Sequence, residues 1–208
     1  MTLGKSSGND PGAALLAGDG VAFGHEPHGR ARTNVADPAA VLATARSLVY
    51  ADLVDREFRA ELIARYRAGV DEVDAALAGA DDADLDAVPS DDGWTPRMVI
   101  HHLADSESNS YLRVRKLLAE DETVIQGYDE EQFARRLHYD RPAETSLAVF
   151  RAVRASTAEL LDRLGDEDWD RAGTHSESGA YSMEDWLEIY AAHAFDHAKQ
   201  IRRARDAR

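Results

Sequence analysis

Cysteine is absent from the 208 residues, which removes disulfides, thiolate zinc sites and a cysteine nucleophile together. Basic residues are few: 24 Lys and Arg stand against 39 Asp and Glu, a formal charge of −15. Affinity for nucleic acid rests mostly on neutralising phosphates with Lys and Arg, so this composition argues against a nucleic-acid partner. Anionic membrane surfaces are disfavoured for the same reason. Apolar runs reach only a few residues, against the roughly 20 that span a bilayer. The N-terminus lacks an apolar core flanked by positive charge, so the expected location is the cytoplasm. A Gly-rich phosphate loop and a G-x-S-x-G elbow are also missing.

What remains is enough for one domain with a tail, since a chain of this length buries roughly 70% of its unfolded surface without a covalent staple. Residues 1–45 read as a flexible leader, rich in Gly, Ser and Asp and without sustained periodicity. Its histidines, His25 and His28, read as solvated loop residues. Residues 46–208 read as the folded domain.

That domain is helical. Leu53, Phe58, Leu62, Ile63, Tyr66, Val70, Val73 and Leu77 recur near a 3.6-residue period, ending at Gly79 and the run DDADLD. Thr95 as N-cap and Pro96 at the first helical position start a second helix, with Ile100, Leu103, Ala104, Tyr111, Val114 and Leu118 as its apolar stripe. Asp129 and Gln132 resemble a capping box for a shorter segment. Pro142 is expected to open a third long helix that buries Leu147, Phe150, Val153, Thr157, Leu160, Leu161 and Leu164 and stops at Gly165. Ser182 caps a fourth, whose inner face carries Trp186, Ile189, Tyr190, His193, His197 and Ile201. No strand pair is expected. Four long helices with short to moderate connections describe an all-α four-helix bundle, an architecture that builds ligand and metal sites between facing inner positions.

Three of the eight histidines carry chemistry in this arrangement. His193 and His197 are four apart on one helix, so their rings point the same way about one turn apart. Such pairs also occur on solvated faces, but this one shares its stripe with Trp186, Tyr190 and Ile201. A zinc-peptidase reading fails, because the position after the first His is Ala194 rather than Glu. In HHLADS, His101 and His102 point about 100° apart and do not both face one site. His102 shares a polar lane with Ser106, Asn109 and Arg113. A His102, His193, His197 set offers three nitrogens to one ion and leaves coordination positions open, as in a catalytic site; the alternative is a non-catalytic metal-binding bundle, with the ion as a structural clasp between the second and fourth helices. Asp105 and Asp196 are outer partners in that reading, or ordinary surface carboxylates. His138 and His175 fall in expected loops, with His175 within reach of the site mouth.

The strings GWTPRMVIHHLADSESNSYLRVRKLL, TVIQGYDEEQFA and ESGAYSMEDWLEIYAAHAFDHAKQI resemble the YfiT branch of the DinB superfamily, in order and without large gaps from about Leu62 to Ile201. The carrying motifs are Trp-x-Pro, His-His-x-x-Asp-Ser and the closing His-x-x-x-His-x-x-x-Ile. The resemblance implies a four-helix bundle holding one divalent ion, zinc or nickel, through His102, His193 and His197. It also implies a homodimer and a small-molecule substrate. Members of this branch are named as candidate metal-dependent hydrolases. Other relatives transfer a low-molecular-weight thiol such as bacillithiol or mycothiol, and here that thiol would be a cosubstrate, since the chain has no sulfur nucleophile of its own. Either chemistry suits an ion that lowers the pKa of water or binds a thiol as thiolate. The catalytic acid and base stay unassigned.

Overall fold

The computed structural model describes residues 38–90 and 93–207. Contacts divide the chain after Leu42, and everything described below lies in the unit from Ala43 onward apart from the first turn of the first helix. The leader's residues 1–37, with His25 and His28, lie outside the described residues. Four long helices form the bundle: α1 (Pro38–Leu77), α3 (Pro96–Ala119), α5 (Glu144–Leu161) and α7 (Met183–Asp206). Short helices α2 (Asp82–Leu85), α4 (Glu130–Arg136) and α6 (Asp166–Trp169) lie in the connections. No helix among the described residues is long and apolar enough to cross a membrane.

The helix starts follow local chemistry. The Thr95 side chain accepts from the Met98 amide, with Pro96 placed where its missing N–H leaves no bond unmade. Ser182 accepts from the Asp185 amide while the Asp185 carboxylate accepts from the Ser182 amide, a closed capping box. Asp129 likewise accepts from the Gln132 amide at the start of α4. Helix α1 begins at Pro38, so its first turns fall within the segment expected as leader. Helix α5 starts at Glu144, two residues after Pro142. It ends at Leu161, and Gly165 is the N-cap of α6 rather than the stop of α5, because Leu164 is already outside the helix.

The core comprises two clusters. Tyr66, Val114, Leu117, Trp186 and Leu187 fill one, and Val73, Val99, Leu103, Phe150 and Ile201 fill the other. Gly69 allows α1 to approach closely, since a Cβ there would lie 2.7 Å from the Ala194 Cβ and 2.9 Å from Arg154 Nη2. Three residues of the expected stripes are instead open to solvent: Leu53 and Phe58 on α1 and Ile189 on α7 are each about half exposed. Helical period alone fixes a face but not how far a neighbour covers it.

The expectation of no strands is corrected. A three-stranded sheet, β1 (Val124–Ile125), β2 (Ala172–His175) and β3 (Gly179–Ser182), flanks the bundle in the order β1-β2-β3. Strand β1 runs parallel to β2, pairing Val124 with Thr174, and β2 runs antiparallel to β3, pairing Gly173 with Tyr181. Gly173 is required there, because a Cβ would sit 2.5 Å from the Thr123 carbonyl. These strands are two to four residues long and contain Ala, Gly and Ser, too short to show alternation.

Candidate functional site

Helices α3 and α7 bring His102, His193 and His197 to one point. The Nε2 atoms of His102 and His193 lie 3.3 Å apart, and those of His197 and His193 lie 3.1 Å apart. A tetrahedral zinc ion with Zn–N bonds of about 2.0–2.1 Å separates its ligand atoms by about 3.3–3.4 Å. Both separations from His193 match that value, and all three ligand atoms lie within 4.8 Å of one another, as one ion of that size requires. Among the described residues this is the group of three or more His, Cys, Asp or Glu side chains arranged closely enough to hold a metal.

Their electronic state follows from burial. His102 is pushed down to about 3, chiefly by removal from water and then by the neighbouring His197. His193 is held well below the ordinary histidine value by burial, with His197, His102 and Arg154 adding to it. Burial lowers His197 as well, against the Gln200 hydrogen bond and the Asp196 charge. All three are neutral at pH 7, the form in which imidazole is a ligand. The His197 Nδ1–H donates to Gln200 Oε1 at 2.8 Å, which leaves its Nε2 lone pair facing the cluster. The Nδ1 atoms of His102 and His193 are buried without a hydrogen-bond partner among the described residues.

Aromatic rings fix the imidazoles laterally. The Trp94 ring of the Trp-x-Pro motif meets His102 edge-on, with centroids 5.0 Å apart, and Tyr190 meets His193 in the same way at 5.7 Å. His101, beside His102, is turned into the core. Its Nε2–H donates to the Arg141 carbonyl at 3.0 Å, and its Nδ1 accepts from the Ser146 hydroxyl at 2.7 Å. Both nitrogens are satisfied, so this histidine is structural.

The other sequence candidates separate. Asp105 accepts from the Tyr139 hydroxyl at 2.6 Å, and Asp196 pairs with Lys199 at 3.0 Å in solvent. His138 is exposed in a turn with φ of 54°. His175, carried by β2, joins Ser106, Arg113, Tyr128 and His193 in lining an open cleft of about 530 Å³. Two of the polar-lane residues, Ser106 and Arg113, thus reach the cleft from α3.

Sequence reasoning missed the support behind α7. Arg154 of α5, fully buried, forms an ion pair with the equally buried Glu107 of α3. It also donates to the Tyr66 carbonyl of α1 at 2.5 Å and the Tyr190 carbonyl of α7 at 3.1 Å. Tyr66 Oη donates to Glu107 at 3.2 Å. One guanidinium thus ties all four long helices together one turn before His193. The available signal was a pair of charged residues inside otherwise apolar stripes.

The sequence profile of the DinB superfamily matches residues 65–201. The chain belongs to the DinB superfamily. Among its relatives, a protein of Oceanobacillus iheyensis named as a candidate metal-dependent hydrolase is 39% identical over 117 residues, covering 56% of this chain and 68% of that protein. One of Bacillus cereus, named in the same way, is 32% identical over 130 residues, covering 62% and 75%. The solved structure of YfiT from Bacillus subtilis, described as a probable metal-dependent hydrolase with an unusual four-helix bundle topology, superposes with a TM-score of 0.64. That match is 28% identical and covers 71% of this chain and 87% of YfiT.

Proposed function

We propose that this DinB-superfamily protein is a metal-dependent enzyme of the YfiT type, a hydrolase acting on a small molecule, with His102, His193 and His197 holding one zinc or nickel ion. The observation that carries the reading is the convergence of three neutral imidazoles, their ligand atoms all within 4.8 Å of one another, beside an open cleft. A bound divalent ion supplies a Lewis acid that polarises a substrate oxygen and brings the pKa of water towards about 7. The chain's part is to hold three uncharged ligands rigidly. Gln200 sets the His197 tautomer, Trp94 and Tyr190 fix two rings, and Arg154 anchors the helix that presents His193. Because no ligand is a carboxylate, the ion keeps its full charge, which also suits transfer of a low-molecular-weight thiol cosubstrate as the second reading.

Metal content of tag-free protein, dialysed against equimolar zinc and nickel, tests the assignment. One equivalent in the wild type, lost in both His102→Ala and His193→Ala, is the expected result. Substoichiometric wild type, or an unchanged equivalent in His193→Ala, refutes it. Hydrolase and transferase then separate on turnover of ester and amide panels against electrophile panels with added thiol.

A further inference from the structure

The cleft beside His193 has an inner wall with a chemistry of its own. Arg113 projects into it from α3, half-buried and in salt-bridge contact with no carboxylate among the described residues, although Glu130 in the same cleft lies near enough to feel its charge. Its two terminal nitrogens donate to neutral acceptors, the Tyr190 hydroxyl at 3.1 Å and the Gln126 carbonyl at 2.9 Å. These bonds hold the guanidinium in place without cancelling its charge. Tyr190 Oη accepts from Arg113 and lies beside the Ser106 hydroxyl, which lines the same cleft. The Tyr128 hydroxyl is buried in the same wall beside Ser106, with no hydrogen-bond partner of normal geometry among the described residues. A fixed cation, flanked by hydroxyls and set in a chain of charge −15, is therefore the local exception to an acidic surface.

We infer that Arg113 is a specificity-determining residue, and that the substrate carries a carboxylate which docks on Arg113 and the Tyr128 hydroxyl while its reacting end faces His193. The inference deepens the function proposed above and rests on it only in placing the reacting end. A guanidinium matches a carboxylate geometrically, and both are singly charged. Exposed Glu130 and Glu177 line the same cleft, Glu130 within reach of the Arg113 charge, and disfavour a doubly charged phosphate ester more strongly than a singly charged carboxylate. The Glu177 carboxylate folds over Gly127, where a Cβ would lie 2.3 Å from Oε1, so this rim is built closely against the loop that carries Tyr128.

Calorimetric titration of metal-free and zinc-loaded full-length protein with 3-phenylpropionate, 3-phenylpropionamide, 3-phenylpropylamine and phenyl phosphate tests the inference. The metal-free arm removes direct binding of carboxylate to zinc. There the carboxylate is expected to bind at least tenfold tighter than the matched amide. That preference should vanish in Arg113→Met, weaken in Tyr128→Phe and persist in part in Arg113→Lys. Equal binding of carboxylate and amide, absence of binding by all four probes, tighter binding of the amine or the phosphate, or a preference that survives Arg113→Met each overturns it. Zinc content measured on the same preparations reports on the three-histidine reading separately, so either can fail alone.

Discussion

Replacing Arg154 with Met should be among the most damaging single changes in the protein. The guanidinium is 1% exposed and its partner Glu107 is 0% exposed, so the substitution strands a carboxylate in the interior with the Tyr66 hydroxyl as its remaining partner. Breaking a buried pair from one side costs about 3–5 kcal/mol, mostly the uncompensated charge left behind. The Tyr66 and Tyr190 carbonyls lose a second hydrogen bond but lie within α1 and α7, so their share is smaller. For a domain of this size the corresponding fall in melting temperature is about 6–20 °C. The double variant Arg154→Met, Glu107→Leu removes both charges and should recover most of that loss, because apolar residues of similar volume often replace a buried pair without penalty. Urea denaturation of the two single variants and the double variant gives a complete cycle. A loss under about 1 kcal/mol in Arg154→Met, or a coupling energy near zero, would refute the view that this pair holds the bundle together.

The histidine cluster makes the metal-free protein acid-sensitive. The His102 value in the folded state, about 3, lies below the unfolded value of 6.5, so its stabilising effect is present above pH 6.5 and is lost as the pH falls towards 3. Between pH 7 and pH 5 His102 alone accounts for about 2 kcal/mol, with His193 and His197 acting in the same direction. Urea titrations of metal-free wild type and His102→Gln at the two pH values check this, and equal pH dependence of the two proteins would contradict it. Gly69→Ala should destabilise by about 1–3 kcal/mol although Ala is the better helix former, because the added methyl meets Ala194 and Arg154. A rise in melting temperature on that substitution would show that α1 can shift away from α7 at little cost.

Much of the bundle was legible because its signals are local. Thr95-Pro96 and Ser182 each carry the start of a helix in two to four residues, and the stripes of α3 and α7 repeat over six turns. The sheet was not legible, since β1 depends on parallel pairing with residues about 50 positions away and β2 and β3 are too short to alternate. Leu53, Phe58 and Ile189 satisfy the helical period yet lie half exposed. Whether a neighbour covers a stripe is a tertiary fact that period does not contain.

Polar residues in the stripes were the more informative signal, and they divide by what satisfies them. Leu103, Glu107, Ser110 and Val114 step along α3 at spacings of four, three and four, and Phe150, Arg154, Thr157 and Leu161 step along α5 in the same rhythm. A charge in such a row is costly unless a partner of opposite sign faces it, and Glu107 and Arg154 satisfy each other. His101 and His102 differ by one residue, yet phase separates them: His101 finds a hydroxyl and a carbonyl, whereas His102 finds two further imidazoles. Three neutral rings cannot satisfy one another fully, since each carries a single N–H and only His197 has a separate acceptor for it. The buried ion pair is closed on itself and belongs to the fold. The histidine cluster gathers ring nitrogens at a common point and leaves the Nδ1 atoms of His102 and His193 without a partner among the described residues, and that difference in satisfaction, more than residue type, sets it apart from the ion pair.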